Sequence, residues 1–570
     1  MLQLSTAGSA GKPVPTTFAE LLLNVSSDSE LIESRRRSVC TSLRCFARLL
    51  GQDLSTMPVE LGAYRKVLAE FSPRRAGIKQ SRWSNIRSDV LFALRYAGLP
   101  AVPGRSTTPP SRRWAALLDR LGSSPSRYIL PRFARHCTER RIEPDEVDDG
   151  VIESFRLALE TASFADNATR TVRSVIRAWN QAGSEVDAWP EARLSLPPHP
   201  RRWTPPLSAY PQQLQRELNA WFARAGTEDP FGDEVFQPSR RPNTISSWHY
   251  QTRAYLGALV ASGHHPASLR TLAQLVEPKM AKTGLRYLYE RSIERNPTRA
   301  HRVSCTLKLL ARDFLRVPPH QLEQLEDLCR RLAPKGGAGL TKKNRDRLRP
   351  FDDPRHVGVL LNLPQALLHQ AKRQDRGRRR DVLDVQIAFA IELLLMTAIR
   401  IGNLATLRID RHLSFTRAAR DGLVHLVLHE SEVKNGEPLE FELPAETATL
   451  LKIYLNDYRP RLITKPSVWL FPGRSANSHK HSSVLGNQIS AAIWRHLGLR
   501  VHPHLFRHFG GMLYLKDNPG CEEVLRRVYG HRNLDTTTRF YAATSIAAAV
   551  RHYDQHILRL RHTLSMLASR

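Results

Sequence analysis

The sequence predicts a mainly α-helical N-terminal half followed by an α+β C-terminal domain in which helices surround a small antiparallel sheet. Three observations predict it. Apolar residues in the first half recur three or four apart between stretches rich in proline and glycine. From Asp381 the pattern changes to one long apolar helix, then two alternating runs, then helices again. The charge is 85 Lys+Arg against 54 Asp+Glu, a formal net +31, in a chain of ordinary apolar content at 41%. That excess belongs on folded surfaces and linkers rather than in a disordered tail.

At roughly 150 residues per domain, 570 residues correspond to three or four domains, each able to bury its own core. A collagen, a peptide and a small disulfide scaffold are excluded. The positive balance makes nucleic acid the leading partner, because Lys and Arg that neutralise phosphates release condensed counterions. An anionic membrane surface is the weaker alternative.

The first helices carry Phe18, Leu21 and Leu22, then Val90 and Leu94, and define a helical domain over 1–100. Leu99 to Arg113 is a linker. A second helical domain, 112–185, holds Leu117, Leu118 and Leu121, then Val172 and Ile176. Residues 186–242 read as a proline-rich linker region, with PPHP and TPP between Ser184 and Pro211. A third helical domain occupies 243–333, opened by TISSWHYQTRAYLGALVASG, and a basic linker follows at 334–350. The helices SDVLFALRYAGL, RTVRSVIRAWNQAG and SCTLKLLARDFL each place apolar residues four apart and then Arg95, Arg177 or Arg312. A repeated small domain and three independent surface helices both fit this.

The C-terminal domain, 351–570, begins with the apolar stretch Val385 to Ile399, interrupted by Glu392 and shorter than the ~20 residues of a membrane span. It reads as a buried helix. The runs LVHLVLHE and PLEFELP alternate around Asn435-Gly436, a strong hairpin signal because both residues tolerate positive φ. The basic segments Lys335 to Arg349 and Lys372 to Arg380 flank the entrance to this domain and suit either a solvated face or a clamp around DNA. The N-terminus, MLQLSTAGSAGKPVP, has neither a basic start nor a sustained apolar core, so a cytoplasmic address is expected. Cys40, Cys45, Cys137, Cys305, Cys329 and Cys521 form no C-x-x-C pair and are expected to be free thiols.

The chemistry-bearing residues form an ordered set. Arg400 lies in TAIRIGNLATLRID and Lys434 at the turn of EVKNGEPLEFELP. His504 and Arg507 stand three apart in HPHLFRHFGG and so share a helical face. His531 follows a glycine in YGHRNLDTTTRFYA, and Tyr541 comes ten residues later. Each piece alone has an ordinary structural reading. Taken in order, with LRID after Arg400, WLFPG at Trp469 to Gly473 and a helical tail, the last 200 or so residues resemble the catalytic domain of the tyrosine recombinases, the phage-integrase family.

The resemblance implies mainly α N-terminal DNA-binding domains, with 243–333 as the core-binding one, plus an α+β tyrosine-recombinase catalytic domain. It implies that Tyr541 attacks a backbone phosphate of double-stranded DNA, forming a 3′-phosphotyrosyl bond and freeing a 5′-hydroxyl. Arg400 and Arg507 would hold the non-bridging oxygens, Lys434 would protonate the 5′-oxygen, His504 would assist proton transfer from the tyrosine, and His531 would hydrogen-bond the phosphate. No metal and no cofactor are required, and stored phosphodiester energy replaces ATP. Two departures stand out: Asn403 replaces an often acidic residue, and the His531 to Tyr541 spacing is one residue longer than the commonest pattern. Tyr553 is the nearest substitute nucleophile, and Tyr529 is excluded because it precedes the histidine.

His479, His481, His502, His504, His508 and His531 raise a metal alternative, but HExxH is absent and no acidic residue stands at ligand spacing around HPHLFRH. His502 and His508 read as helix-end or packing residues. The segment Ile546 to Leu567 is amphipathic and suits a terminal helix packed on its own domain; in the family such a tail often docks on a neighbouring protomer, which implies a homotetramer on a DNA synapse, with accessory recombinases as further partners. The arginines of SPRRAGIKQSRWSNIR favour backbone contacts to DNA. The expected role is a nucleoid-associated integrase or transposase of a mobile element. A catalytically silent DNA-binding protein and a type IB topoisomerase-like enzyme are the alternatives.

Overall fold

The computed structural model describes residues 14–99, 109–164, 167–197, 203–228, 239–334, 339–374, 378–415, 423–475, 477–534 and 557. The chain divides into two compact units, Met1–Leu194 with Ala338–Arg570, and Ser195–Gly337. It is mainly helical, with one three-stranded antiparallel sheet among the described residues. None of its described helices is long and apolar enough to cross a membrane.

The expected apolar positions are core positions. Phe18, Leu21, Val90 and Leu94 are buried around Phe46 and Trp83, whose rings stack at 6.0 Å. Inside this core Asp89 is paired, accepting from Arg35 at 2.6 Å and from Ser42 Oγ at 2.6 Å, so its charge is compensated where it is buried. Leu117, Leu118, Val172 and Ile176 lie in a second core built on Trp114, Phe133, Phe155 and Trp179. Leu307 and Ala311 lie in a third, where Trp221 and Trp248 stack at 5.3 Å. The three look-alike helices therefore each bury their i, i+4 pair in a different core.

Two stretches expected as linkers carry structure. Within 186–242, Trp189 and Leu194 close the second core, and helix Gln212–Gly226 buries Leu214, Leu218, Trp221 and Phe222 in the third. Its apolar spacing overrides the prolines around it, which lie outside the helix and only punctuate its ends. Within 334–350, helix Lys342–Leu348 forms behind a Thr341 cap and buries Leu348 in the C-terminal core.

That C-terminal core is organised by helix Arg379–Thr397, buried along most of its length as its apolar run predicts. Its one acid within that run, Glu392, is buried and accepts from Thr447 Oγ1 at 2.7 Å, and burial raises its pKa. Phe389, Tyr454 and Phe471 stack at 5.5–6.2 Å, and Tyr454 Oη donates to the Leu470 carbonyl at 2.8 Å, fixing the WLFPG segment on the helix.

The sheet consists of β1 Leu413–Phe415, β2 Val424–Leu428 and β3 Leu439–Leu443, in the order β1-β2-β3. Val424 pairs with Leu443 and Leu428 with Leu439, so Val424, Leu426 and Leu428 point inward while Glu440 and Glu442 face solvent. The hairpin exists, but Asn435-Gly436 is not a two-residue turn. Residues 429–438 form a longer loop in which Gly436 alone takes positive φ, at 69°. β1 was not expected, since three residues are too few to show a period.

Candidate active site

Three features of the backbone aim the site. Helix Arg379–Thr397 ends in Ala398, left-handed at φ 48°. This is a costly conformation for a residue with a Cβ, held by burial against Leu515, Leu525 and Tyr529. The turn delivers Arg400 as the residue capping helix Ile401–Ala405. Helix Leu505–Asp517 presents Arg507 in its first turn, with His504 just before it. Helix Glu522–Tyr529 stops at left-handed Gly530, φ 59°, which turns His531 back towards Arg507.

Arg507 is buried. Its guanidinium donates to the Tyr529 carbonyl at 2.5 Å and to His531 Nε2 at 3.3 Å, and it lies 4.8 Å from the centre of the Tyr529 ring. Tyr529 Oη returns a hydrogen bond to the Arg507 carbonyl at 2.8 Å. The two residues thus lock each other, and Tyr529, buried and bonded, is a strut under the arginine. Arg400, half-buried, donates to Asn435 Oδ1 at 3.3 Å, and Asn435 Nδ2 donates to the Gly530 carbonyl at 2.7 Å. The loop bearing Lys434 is thereby pinned to the segment bearing His531. Glu437 on the same loop faces Arg532 at 3.8 Å. Lys434 itself is exposed, as expected for a loop residue.

The start of this loop is held separately. Asn403 Nδ2 donates to the Glu432 carbonyl at 3.1 Å, a bond that a carboxylate at that position could not make. Buried His412 bonds Glu432 Oε1 at 3.0 Å through Nε2, while its Nδ1 accepts from the Arg408 amide at 2.8 Å.

The electrostatics show how closely the groups converge. Burial first, then the charges of Arg507, Arg400 and Lys434, lowers the pKa of His504. Burial, then Arg507, Arg400 and His504, pulls His531 down to about 4. Burial, then His504 and Arg507, does the same to His508, also to about 4. His504 is open to solvent on one side, and its ring meets His508 edge-on at 5.3 Å. These imidazoles are neutral at pH 7, inside a cluster of permanent cations. Such a convergence of positive charge favours an anion.

Five of the six expected residues, Arg400, Lys434, His504, Arg507 and His531, therefore come together. Tyr541 lies outside the described residues, as do Tyr553 and all of Ile546 to Leu567 except Ile557. The other histidines have structural settings: His481 caps helix Ser482–Leu497, His479 Nδ1 lies 3.0 Å from the Lys480 carbonyl, and His502 Nε2 lies 3.4 Å from Asn344 Oδ1. Asn435 and Tyr529 were missed as site residues. Asn435 was legible only as half of a turn signal, and Tyr529 only as a tyrosine on the wrong side of a histidine.

The model of the phage integrase family matches residues 365–547. No curated protein matches the sequence. Among solved structures, similar ones include the XerA recombinase, at 16% identity over 56% of this chain and 92% of that one, with a TM-score of 0.22. Another is the XerH site-specific recombinase bound to difH substrate in a pre-cleavage complex, at 13% identity over 58% and 94%, with a TM-score of 0.36. A third is the Tn1549 transposon integrase in complex with circular intermediate DNA, at 14% identity over 60% and 98%, with a TM-score of 0.34.

Proposed function

Since the chain carries a phage integrase family domain at residues 365–547, we propose that it is a site-specific DNA recombinase, cutting and rejoining strands through a 3′-phosphotyrosyl intermediate as the integrase or transposase of a mobile element. The observation that carries this reading is the convergence of Arg400, Lys434, His504, Arg507 and His531 on one anion-seeking pocket.

In this mechanism the phosphate enters between the two guanidiniums. Their fixed charge and planar donor sets suit the non-bridging oxygens, where charge builds up in the pentacoordinate transition state. Arg507 is held by Tyr529, and Arg400 by Asn435, so little reorganisation is needed when the charge develops. Tyr541 attacks the phosphorus, its phenolic proton passing towards neutral His504, while Lys434 protonates the departing 5′-oxygen. Because His531 Nε2 accepts from Arg507, its proton sits on Nδ1, and that N–H is the donor offered to the phosphate. A 5′-hydroxyl of another strand then attacks the phosphotyrosine, and the phosphodiester energy is retained without ATP.

The helical parts support DNA binding in this reading. Residues 243–333 serve as the core-binding domain and the first two helical domains add backbone contacts, with the net charge of +31 supplying affinity. The protein acts as a tetramer on its synapse through the C-terminal segment, in the nucleoid of the cytoplasm.

The test uses purified protein with a random-sequence library of nicked duplexes, in which cleavage releases a short fragment and traps the intermediate. Protein-linked DNA that survives denaturation is expected, reduced by about 10²–10³ in Arg400→Ala and Arg507→Ala. Binding without any adduct from the wild-type protein would support a silent DNA-binding protein instead.

A further inference from the structure

The unit Ser195–Gly337 contains a cluster that the recombination chemistry does not use. His301 and Cys305 are one turn apart on helix Thr298–Leu309 and share a face. Helix Pro319–Leu332 packs on that face and brings Cys329 to it. The Cys305 and Cys329 sulfurs are 3.5 Å apart, and His301 Nε2 is 3.6 Å from the Cys305 sulfur. All three donor atoms lie within 4.8 Å of one another. Six cysteines scattered along the sequence thus place two of their thiols side by side in space.

We propose that His301, Cys305 and Cys329 bind a thiophilic divalent metal, zinc in its chemistry, which ties helix Thr298–Leu309 to helix Pro319–Leu332. The spacing fits. Zinc bonds of about 2.3 Å to sulfur and about 2.0–2.1 Å to nitrogen, in tetrahedral array, put neighbouring donor atoms about 3.4–3.8 Å apart. The imidazole is also set for ligation: His301 Nδ1 lies 3.1 Å from the Cys329 carbonyl, so it carries the proton and leaves the Nε2 lone pair facing the sulfurs. Ser304 Oγ lies 3.2 Å from the Cys329 sulfur and donates its proton to the His301 carbonyl at 2.8 Å.

Charge and solvation agree with this assignment. A dication bound by two thiolates and one neutral imidazole leaves the site uncharged in a partly buried place, the thiol protons passing to solvent. Cys329 is buried whereas His301 and Cys305 are half-exposed, which leaves a fourth position for water. A disulfide would need the sulfurs to close to about 2.0 Å and gives no reason for the imidazole to face the same point.

The test is cobalt(II) titration of the full-length reduced protein after dialysis against chelator. One equivalent is expected to bind, giving the d–d bands of a tetrahedral site and thiolate charge-transfer absorption, with release of two protons. Zinc should displace the cobalt and slow the reaction of two of the six thiols with an aromatic disulfide reagent by about 10-fold or more. Cys305→Ser/Cys329→Ser should abolish the bands. His301→Ala, which leaves both thiols in place, should weaken binding by at least about 10-fold while far-UV circular dichroism stays unchanged. Absence of tetrahedral bands in folded wild-type protein overturns the proposal, and so does their persistence in the double variant. A Cys305–Cys329 disulfide formed under mild oxidation by protein that binds no cobalt when reduced identifies a redox pair instead.

Discussion

Asn435 links Arg400 to Gly530, accepting from the guanidinium at 3.3 Å and donating to the glycine carbonyl at 2.7 Å. A single amide thus sets the distance between the first arginine, the loop that bears Lys434 and the segment that bears His531. A carboxylate in its place would keep the bond to Arg400 and lose the donor to Gly530.

Asn435→Ala should therefore slow strand cleavage by roughly 10-fold, the loss of about two neutral or singly charged hydrogen bonds spread over positioning. Affinity for DNA should change far less. Single-turnover cleavage of a nicked duplex, beside a binding isotherm at the same salt, separates the two. Equal losses in both would mean that the residue only supports the fold.

Tyr529→Phe removes the hydroxyl that donates to the Arg507 carbonyl and leaves the ring beneath the guanidinium. Denaturant unfolding should show a loss of about 1 kcal/mol. The covalent DNA adduct should still form, because this tyrosine is a strut. Loss of the adduct in a folded variant would make Tyr529 a participant in the chemistry.

Acid should destabilise the protein through its neutral histidines. His508 and His531 have pKa values pulled to about 4 from an ordinary 6.5, and so has His136, buried in the second core beside Arg140. Below pH 6.5 the unfolded chain binds protons that the folded one refuses, so stability is full above 6.5 and falls as pH drops towards 4. A fully buried histidine with this shift contributes up to about 3 kcal/mol, and half-exposed His531 correspondingly less. Urea midpoints measured from pH 7.5 to 4 should fall most steeply below 6.5. Replacing His136 by Phe should flatten the curve. Bound DNA should raise the pKa of His531, because a phosphate anion offsets the charges of Arg507 and Arg400.

Much of this was legible in the sequence because it rests on local pattern. The buried helix from Arg379 shows as an apolar run, the strands as alternation, and the basic residues as an ordered set whose members the fold then gathers. What escaped was decided by tertiary contacts. Helix Gln212–Gly226 was hidden among prolines, β1 was too short to have a period, and Asn-Gly promised a tight turn where the loop had to be long enough to reach Gly530. Asn403 in place of an acidic residue is explained only by the carbonyl of Glu432 that it must donate to. Cys305 and Cys329, on different helices and 24 residues apart, have no sequence signal that they meet.

The most direct test of the central claim is to digest the trapped protein–DNA adduct and identify the DNA-linked peptide by mass spectrometry. A single modified peptide carrying its nucleotide on Tyr541 is expected, absent in Tyr541→Phe protein that still binds DNA. Linkage through Tyr553, or an adduct that survives in Tyr541→Phe, would contradict it.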